Sequence, residues 1–446
     1  MQGPVAIILA AGHGKRMRSA RAKVLHEVCG RPMIRSVVEA VRAAGAKTIL
    51  VVVGSGADQV RAALADEPDI RFATQEQQLG TGDAVRACRA SLEGYEGPAL
   101  VVVGDEPLLR PEPLADLIAW REAEDAACLL GTAIVADPTG FGRILRDGAG
   151  RFLRIVEERD CSPEERAIRE VNPSCYAFKL PGLWDALDRL ETTNAQGEYY
   201  LTDAPELLQS MGRKVTALPC LEPDDILGVN TRQHLAQAHA LMQARIQERL
   251  MDEGVSIVDP RNTYVDGRAT VGPDTTIFPF SVLSGTVRVG SGCRVGPFAH
   301  LRDGTVLADG VEVGAFVEVN RSHLGADTKA RHLAYLGDAR VGPGVNVGAG
   351  VITANFDGTR KSPTEVGPGV NVGAGVITAN FDGKAKSRTT VGRDAFLGSG
   401  AILIAPVSIG DNAVVGAGSV VTKNHDVGAG QTVVGVPARP IEKSGG

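Results

Sequence analysis

A glycine-rich segment near the start of the chain carries residues that could bind an anion. An apolar run over residues 5–10 is followed by Ala11-Gly12-His13-Gly14-Lys15-Arg16, and Lys23 lies seven residues further on. Glycine-rich turns leave backbone N–H groups free to point at an anion, and lysine and arginine add fixed positive charge. The segment therefore predicts a phosphate cradle after the first strand, although a structural turn would explain a bare GxG equally well.

Two common nucleotide-binding motifs do not fit this segment. Met17 takes the place of the third glycine of a dinucleotide-binding fingerprint, and the second strand ends in Gly54-Ser55 rather than in an acidic residue. A P-loop is excluded as well, because no Gly-Lys-Ser/Thr triplet follows at the required spacing. The phosphate cradle must therefore belong to another class of nucleotide-binding domain.

The elements around the cradle alternate between strand and helix. The apolar run over residues 5–10 predicts a buried parallel strand, and further strands are predicted over 48–53 and 99–103. Helical spacing is found over 33–44 and 57–65. This alternation is typical of a doubly wound α/β sheet.

The second half of the chain has a different period. Residues 232–252 predict a single amphipathic helix that ends near Gly254. Aliphatic residues then recur every six positions, first from Val271 to Val319 and again from Val391 to Val433. A period of six fits neither a helix nor a simple strand, and is the signature of a parallel β-helix whose aliphatics point inward.

An internal duplication interrupts this period. Residues 341–358 recur unchanged as residues 366–383, 25 positions later. One coil of three hexads accounts for 18 residues, so the duplicated unit is interpreted as one coil plus one protruding loop. We predict an α/β domain over residues 1–229, a connecting helix over 230–253, and a β-helix over 254–446 that contains the two copies.

Composition excludes several classes of protein. The net charge is −6, and positive and negative residues are mixed throughout the chain, which argues against a nucleic-acid or membrane surface. No signal peptide or membrane-spanning segment is recognisable, so the chain is expected in the cytoplasm. The odd number of cysteines lacks metal-ligand spacing and predicts buried, reduced thiols; they are Cys29, Cys88, Cys128, Cys161, Cys175, Cys220 and Cys293.

Further motifs occur in the order found in sugar-phosphate uridylyltransferases. They are LAAGHGKRM at 9–17 with Lys23, QEQQLGTG at 75–82, GDEPL at 104–108, PTGFGR at 138–143, EVN at 170–172, NAQGEYYLTD at 194–203 and GVN at 228–230. With the hexapeptide half, the chain most closely resembles the bifunctional N-acetylglucosamine-1-phosphate uridylyltransferase/glucosamine-1-phosphate N-acetyltransferase family, over almost its whole length. The resemblance implies a Rossmann-like nucleotidyltransferase domain followed by a left-handed parallel β-helix.

The resemblance also implies how the first half acts. A sugar 1-phosphate would attack the α-phosphorus of UTP and expel pyrophosphate, with Arg16 and Lys23 on the triphosphate and Asp105 and Asn230 on Mg²⁺. Gln75, Gly80 and Thr81 would contact the uracil ring. The implied UTP and UDP-sugar contacts are Leu9, Ala10, Ala11, Gly12, Lys23, Gln75, Gly80, Thr81, Gly140, Glu157, Asn172 and Asn230. Considered singly, Asp105 could be a turn residue and Asn172 a loop cap.

For the second half the resemblance implies acetyl transfer from acetyl-CoA to glucosamine 1-phosphate. His332 would be the general base, since a neutral imidazole can take a proton from the sugar ammonium. The sugar phosphate would be held by Arg302, Tyr335 and Asn346. Acetyl-CoA would lie along Ala349, Asn355, Phe356, Ala374, Asn380, Phe381, Ser399 and Ala417, with its phosphates near Arg360, Lys361, Lys384 and Lys386. The first copy of the duplicated coil is predicted to serve His332, because it lies in the next coil.

Some positions depart from the family pattern and leave alternatives open. Lys15 and Ala22 replace the usual Thr and Pro, and the family's phosphate-binding Lys falls on Asn320, with Arg321 as a substitute. A second interpretation keeps uridylyl transfer and makes the β-helix a trimerisation scaffold. A third makes the chain a different sugar-nucleotide pyrophosphorylase with a regulatory β-helix. The resemblance itself implies a homotrimer with the acetylation site between subunits.

Overall fold

The protein is described by a computed structural model that covers residues 3–180, 182–354, 362–380 and 387–441. The chain divides into two compact units, Met1–Met242 and Gln243–Gly446. The division falls within a 21-residue helix, Arg232–Asp252. Within the described residues, no helix is both long enough and apolar enough to cross a membrane.

The first unit is an α/β sheet flanked by helices. Its strands are β1 (Val5–Leu9), β2 (Glu27–Val28), β3 (Arg31–Pro32), β4 (Thr48–Val53), β5 (Ile70–Thr74), β6 (Pro98–Val103), β7 (Cys128–Ile134), β8 (Gly142–Arg146), β9 (Phe152–Val156), β10 (Glu170–Lys179) and β11 (Val215–Leu218). Its helices are α1 (Met33–Ala43), α2 (Ala57–Ala63), α3 (Thr81–Arg86), α4 (Pro111–Ala123), α5 (Pro163–Arg166), α6 (Gly182–Leu187) and α7 (Ala204–Ser210), with α8 (Arg232–Asp252) at the division. Short 3₁₀ turns occupy Lys15–Met17, Lys23–Leu25, Arg89–Leu92 and Leu201–Asp203.

The main sheet has the strand order β11-β7-β10-β6-β1-β4-β5. β1 pairs in parallel with β4 on one side and with β6 on the other, so the chain reverses its winding direction at β1. Such a switch point opens a crevice beyond the carboxyl ends of the strands, which is the usual ligand site of open α/β sheets. The residues that follow β1 and β6 therefore border this crevice.

Both faces of the sheet are covered, which explains why its central strands are continuously apolar. Ala6 and Ile8 of β1 pack in one core cluster with residues of α1 and α4. Val5 and Ile7 point the other way and pack with residues of α3 and α6. β10 runs antiparallel to β6 and β7, and it carries the hairpin formed by β8 and β9.

The second unit is a parallel β-helix with three faces. The first face contains Ser256–Ile257, Thr276–Ile277, Arg294–Val295, Glu312–Ala315, Lys329–His332, Asn346–Val347, Asn371–Val372, Phe396–Leu397, Val414–Val415, Thr432–Val434 and Arg439–Pro440. The second face contains Tyr264–Val265, Val282–Leu283, His300–Leu301, Glu318–Asn320, Tyr335–Gly337, Ile352–Ala354, Ile377–Ala379, Ile402–Ile404 and Val420–Val421. The third face contains Thr270–Val271, Arg288–Val289, Val306–Leu307, His323–Leu324, Ala339–Val341, Thr364–Val366, Thr389–Val391 and Val407–Ile409.

The period-six aliphatics form the interior of this β-helix. All seventeen, from Val271 to Val319 and from Val391 to Val433, are at most 8% exposed. The two-residue strands place one side chain inward and one outward, so a single aliphatic per hexad fills each side of the coil. The prediction of inward-pointing aliphatics is confirmed.

The duplicated residues form two successive coils in register. Val341 pairs with Val366 on the third face, Asn346 with Asn371 on the first, and Ile352 with Ile377 on the second. Thr276 and Arg294 of neighbouring coils pair at an offset of 18 residues, whereas Val341 and Val366 pair at an offset of 25, so the ladder keeps its register across the longer spacing. The paired strands form one coil per copy, while the predicted loops lie mostly outside the described residues.

The cysteines lie among the described residues and none forms a disulfide. Six of the seven are buried, and Cys220 is half-buried. Burial raises the pKa of the Cys88 thiol to about 12, which leaves it protonated and unreactive at neutral pH. The prediction of buried thiols is confirmed for six of the seven cysteines.

Candidate functional sites

A cleft of about 460 Å³ opens at the switch point of the first sheet. It lies beyond the carboxyl ends of β1 and β6, where the chain turns into its glycine-rich and acidic segments. Its lining comprises Leu9, Ala10, Ala11, Gly12, His13, Ala22, Lys23, Val24, Ser55, Gln75, Gln78, Gly80, Thr81, Ala84, Val103, Asp105 and Glu198. The structure thus brings together the predicted cradle, the predicted uracil contacts and one predicted metal ligand.

Two cations and two side-chain oxygens meet at one edge of this cleft. The Lys23 ammonium forms a short ion pair with Asp105 and donates to Asn230 Oδ1 at 3.2 Å. Arg16 donates to the same Asn230 oxygen at 2.9 Å. Gly14 sits at φ +58, and a Cβ there would come within 2.7 Å of Lys23, so only glycine lets the turn close over this lysine.

The segment that carries Asn230 is fixed by two contacts. The backbone N–H of Val229 donates to the carbonyl oxygen of Asp105 at 2.9 Å. Upstream, Arg110 donates through Nε and a terminal nitrogen to both oxygens of Asp225, each at 2.8 Å. The Asp225 side chain is completely buried, so this bidentate pair ties the loop before Asn230 to the start of α4.

Asp105 and Asn230 fit a metal site of the kind predicted. Both oxygens converge on one positive group, the Lys23 ammonium. A carboxylate and an amide oxygen are suitable ligands for Mg²⁺, which takes its remaining ligands from phosphates and water. Among the described residues, no group of three or more His, Cys, Asp or Glu forms a self-sufficient metal cage.

Gln75 follows β5 at the far side of the cleft and is held by acceptors. Its Nε2 donates to Asp83 Oδ2 at 2.8 Å and to the carbonyl oxygen of Gly80 at 3.0 Å. Gly80 adopts φ +118, and a Cβ there would lie 2.5 Å from Tyr199 O, so glycine is required at this close approach. The Thr81 hydroxyl accepts from the Leu201 N–H at 3.0 Å, which fixes the start of α3.

The predicted sugar contacts lie near the β8–β10 pairing. Asn172 pairs with Gly142, and a Cβ on Gly142 would lie 3.7 Å from both Asn172 Cβ and Glu157 Cδ. The Thr202 hydroxyl donates to Glu157 at 3.0 Å, and burial raises the pKa of that carboxyl group. The structure therefore brings Glu157 and Asn172 together, while Gly140 lies in the adjoining turn at φ +89.

Several residues of this region were not singled out from the sequence. Ser55, Gln78 and Glu198 line the cleft, and Asp83 binds the Gln75 amide. Burial, and then the charges of Glu206 and Glu157, raise the pKa of Asp203 to about 6. Their sequence spacing carries no signal for these contacts, because each depends on chain segments that meet only in the fold.

In the β-helix, the predicted acetyl-CoA residues form a column with one residue per coil. Ala349 O accepts from Gly375 N at 2.8 Å, Ala374 O from Gly400 N at 2.7 Å, and Ser399 O from Gly418 N at 2.8 Å. These bonds place Ala349, Ala374, Ser399 and Ala417 at the same corner of four successive coils.

His332 belongs to the same column, one coil before Ala349. Ala330 pairs with Val347, and Leu333 O accepts from Gly350 N at 3.1 Å, which sets Ala349 at the position corresponding to His332. His332 is exposed and lines a groove of about 270 Å³ on the first face. The predicted general base and the predicted coenzyme contacts are therefore brought together.

The predicted sugar-phosphate residues are distributed over two faces. Arg302 follows a second-face strand and forms a 2.8 Å ion pair with Glu318, which stands in register with Tyr335. Asn346 begins a first-face strand, and its amide donates to the equivalent Asn371 of the second copy at 2.9 Å. Arg302 and Asn346 therefore lie on different faces of the β-helix.

Asn320 and Arg321 bind each other and a neighbouring acid. Arg321 donates to Asn320 Oδ1 at 2.8 Å and to both Asp338 oxygens at 2.7 and 2.9 Å. The guanidinium proposed as a substitute phosphate ligand is thus already paired with a carboxylate. A phosphate would have to displace Asp338 or share the arginine with it.

Asn380 of the second copy is only 1% exposed, and its amide is bonded inside the coil. It donates to Ser362 O at 3.1 Å and accepts from Thr389 Oγ1 at 3.1 Å. Through these contacts Asn380 stabilises the ladder from inside the coil, and its side chain does not lie at an exposed edge. The remaining predicted coenzyme contacts lie outside the described residues: Asn355, Phe356, Phe381, Arg360, Lys361, Lys384 and Lys386.

Comparison with family models matches both halves of the chain. Residues 6–171 match the MobA-like NTP transferase domain. Residues 286–321 match the bacterial transferase hexapeptide model, and residues 388–423 match the hexapeptide repeat of succinyl-transferase. The solved structure of UDP-glucose pyrophosphorylase complexed with UDP-glucose aligns with 55% of this chain and all of that chain, at 16% identity and a TM-score of 0.45.

Curated relatives match the chain over nearly its whole length. Bifunctional protein GlmU of Brevibacillus brevis is 40% identical, covering 95% of this chain and 92% of that protein. The GlmU proteins of Syntrophotalea carbinolica and Pelotomaculum thermopropionicum are 41% and 42% identical, covering 94% and 80% of this chain and 92% and 85% of those proteins. The predicted fold class and family are confirmed. The chain belongs to the family of bifunctional GlmU proteins, enzymes in which a nucleotidyltransferase is joined to a hexapeptide-repeat acetyltransferase.

Proposed function

We propose that the cleft transfers UMP from UTP to N-acetylglucosamine 1-phosphate and releases pyrophosphate, and that the β-helix makes this sugar phosphate by acetylating glucosamine 1-phosphate. Membership of the GlmU family supports both activities. The observation that carries the first is the cluster of Lys23, Arg16, Asp105 and Asn230 at the switch point of the sheet.

The main obstacle to uridylyl transfer is the repulsion between two polyanions. Catalysis of phosphoryl transfer therefore consists mostly of positioning and charge neutralisation. Arg16 and Lys23 would hold the triphosphate against the backbone N–H groups of the glycine-rich turn. Asp105 and Asn230 would hold Mg²⁺, which supplies positive charge to the phosphates when bound.

In the acetyl-transfer half, His332 would take a proton from the ammonium of glucosamine 1-phosphate. The freed amine attacks the thioester carbonyl of acetyl-CoA, forms the amide and expels the thiolate of coenzyme A, which then takes up a proton. The column of Ala349, Ala374, Ser399 and Ala417 supports a coenzyme that lies along one corner of the solenoid, directly after His332. The first copy of the duplicated coil would then serve His332, and the second would replace the original downstream contacts.

The acetylation site would be completed by a second subunit of a homotrimer. This proposal is supported by the distribution of Arg302 and Asn346 over two faces, and by exposed aromatic side chains next to His332. Phe280, Phe298 and Phe316 stack along one corner, with ring centroids 4.9 and 5.0 Å apart. The cytoplasmic location stays a prediction.

One observation favours the scaffold interpretation of the β-helix. Arg321 is paired with Asp338, and Asn320 offers no charge, so the phosphate contact of the family has no free cationic equivalent at these two positions. Under this interpretation the protein would transfer uridylyl groups but would not acetylate glucosamine 1-phosphate.

Two incubations separate these possibilities: a complete mixture, and a second one that supplies N-acetylglucosamine 1-phosphate with UTP and Mg²⁺. In the complete mixture the protein is combined with glucosamine 1-phosphate, acetyl-CoA, UTP and Mg²⁺, and free thiol, pyrophosphate and UDP-sugar are followed separately. We expect all three products. Pyrophosphate from UTP and N-acetylglucosamine 1-phosphate without thiol release would leave only the scaffold interpretation, and no pyrophosphate with either sugar phosphate would contradict the assignment of the cleft.

A further inference from the structure

The NH₂ group of the Gln75 amide is already hydrogen-bonded within the protein. Nε2 donates to Asp83 Oδ2 at 2.8 Å and to Gly80 O at 3.0 Å. A carboxylate oxygen and a peptide carbonyl oxygen only accept hydrogen bonds. The NH₂ group must therefore face them, so the orientation of this amide follows from its partners.

The acceptor half of the same amide is left for a ligand. Gln75 is 5% exposed and lines the cleft beside Thr81 and Ala84. In the part of the chain that the structure describes, no group donates to Gln75 Oε1. A base that enters the cleft therefore meets a hydrogen-bond acceptor of fixed orientation rather than an amide that can rotate.

We propose that Asp83 determines the choice of pyrimidine by locking Gln75 with its oxygen towards the base. Uracil carries a proton on N3 and can donate to this oxygen, whereas the N3 of cytosine is an acceptor and is repelled by it. Without Asp83 only the Gly80 carbonyl still holds the NH₂ group, so the amide turns more easily and can present that group, which suits cytosine. The inference deepens the proposed uridylyl transfer and rests on it; Asp83 acts as a positioning residue.

The placement of Asp83 is well defined in the fold. It lies in the first turn of α3, whose start is fixed by Gly82 N donating to Tyr199 O at 2.8 Å and by Leu201 N donating to Thr81 at 3.0 Å. Gln75 is fixed from β4 by its own N–H, which donates to Val53 O at 2.8 Å. Both partners are therefore held by hydrogen bonds within the protein that form without a base in the cleft.

The test compares kcat/KM for UTP and CTP in the full-length enzyme, with N-acetylglucosamine 1-phosphate and Mg²⁺. Asp83→Ala removes the carboxylate that accepts from Gln75. In this variant we expect the ratio of kcat/KM for UTP to kcat/KM for CTP to fall about tenfold, which is the effect of one hydrogen bond. Asp83→Asn keeps an oxygen that can accept from Gln75 and should retain most of the ratio. If the alanine variant fails to fold, Asp83→Ser serves the same purpose. Serine suits the first turn of a helix, and its side chain is too short to reach the Gln75 amide.

Asp58→Ala is the matched control, since Asp58 also lies in the first turn of a helix and is exposed. A merely structural role of Asp83 would lower kcat/KM for both nucleotides together and leave their ratio unchanged, which would overturn the inference. A wild-type enzyme that releases no pyrophosphate from any nucleotide would instead contradict the proposed function. A wild-type enzyme that uses UTP and CTP equally would contradict the inference alone.

Discussion

Lys23 is the residue to which the proposed function gives the central role in the cleft. Its ammonium binds Asp105 and Asn230, the two groups that we assign to Mg²⁺. Asp105 and Asn230 would hold Mg²⁺, and the Lys23 ammonium would then be available to the phosphates. The same side chain thus pairs with two half-buried groups in the structure, and it would neutralise charge when a triphosphate is bound.

Replacement of Lys23 by alanine should abolish most pyrophosphate release from UTP. Loss of one preorganised charge at a phosphoryl-transfer centre is expected to lower kcat about 10²- to 10³-fold. The measurement is release of pyrophosphate at saturating Mg²⁺. Lys179→Ala is the control, because Lys179 pairs with Asp125 at the opposite end of the sheet. Equal activity of the two variants in folded samples would rule out the assigned role.

Asp203 should make the stability of the first unit depend on pH. Its pKa in the folded protein is about 6, above the value of about 3.9 of an unfolded chain, because burial and nearby acids disfavour its charge. Stability from this group is therefore complete below about pH 4 and is lost as the pH rises through 6. We expect Asp203→Asn to raise the melting temperature by about 2–4 °C at pH 8 and by about half as much at pH 5. The same gain at both pH values would contradict this.

At the scale of elements, the loop before Asn230 is positioned by the Arg110–Asp225 pair. Asp225 is buried, and its carboxylate receives two hydrogen bonds from the start of α4. A buried carboxylate that loses its guanidinium partner destabilises its surroundings by about 3–5 kcal/mol. Since Val229 and Asn230 follow directly, such a loss should reach the metal ligand.

We therefore expect Arg110→Met to raise the Mg²⁺ concentration needed for half-maximal activity at least threefold, with partial recovery in Arg110→Lys. Activity is titrated with Mg²⁺ at fixed UTP. The control is Arg89→Met, which breaks an exposed bidentate pair with Asp188. An unchanged Mg²⁺ requirement in Arg110→Met would show that this pair only supports the fold.

The duplicated coil is an element whose removal can be tested. Deleting residues 341–365 would bring Val366 to the place of Val341 opposite Leu324, with the same residues following on the next faces. Because one copy would remain next to His332, we expect a folded protein with acetyl-transfer activity within about threefold of the parent. Release of coenzyme A is the measurement. A large gain in activity would show that the extra coil obstructs the site.

At the scale of the whole molecule, the exposed aromatic corner is the feature that supports a homotrimer. Phe280, Phe298 and Phe316 are 51%, 44% and 60% exposed, and Leu333 continues the corner at 62%. A contiguous apolar strip of this kind marks an interaction surface more often than a solvated one. We expect Phe298→Asp to lower the mass measured by light scattering. Leu153→Asp, at an exposed site of the first unit, should leave that mass unchanged.

Much of the architecture could be predicted from local sequence. The strand predicted over residues 48–53 is observed as Thr48–Val53, and the helix predicted over 33–44 as Met33–Ala43. Apolar runs and a period of six are local signals, which is why the fold class could be assigned. The antiparallel pairing of β10 with β6 and β7 was not predicted, because strand order depends on contacts between distant segments.

The site could be predicted only as far as motifs reach. Lys23, Asp105 and Asn230 were named individually, but their convergence on one point required the sheet to place residues 23, 105 and 230 together. The pairing of Arg321 with Asp338 and of Asn346 with Asn371 was not foreseen, since both connect successive coils. Residue type indicates which chemistry a side chain could perform. The stacking of successive coils determines which side chains are already hydrogen-bonded to another residue.

The two identical copies make the length of the solenoid adjustable. Each copy presents the same residues to the coil above it and to the coil below it, as the in-register pairs of Asn346 with Asn371 and Ile352 with Ile377 show. A third copy would create only contacts of kinds that already exist, and would add 25 residues and one strand spacing, about 4.8 Å. In-frame gain or loss of this unit by recombination would thus yield foldable proteins that differ in the distance from His332 to the last coil of the β-helix.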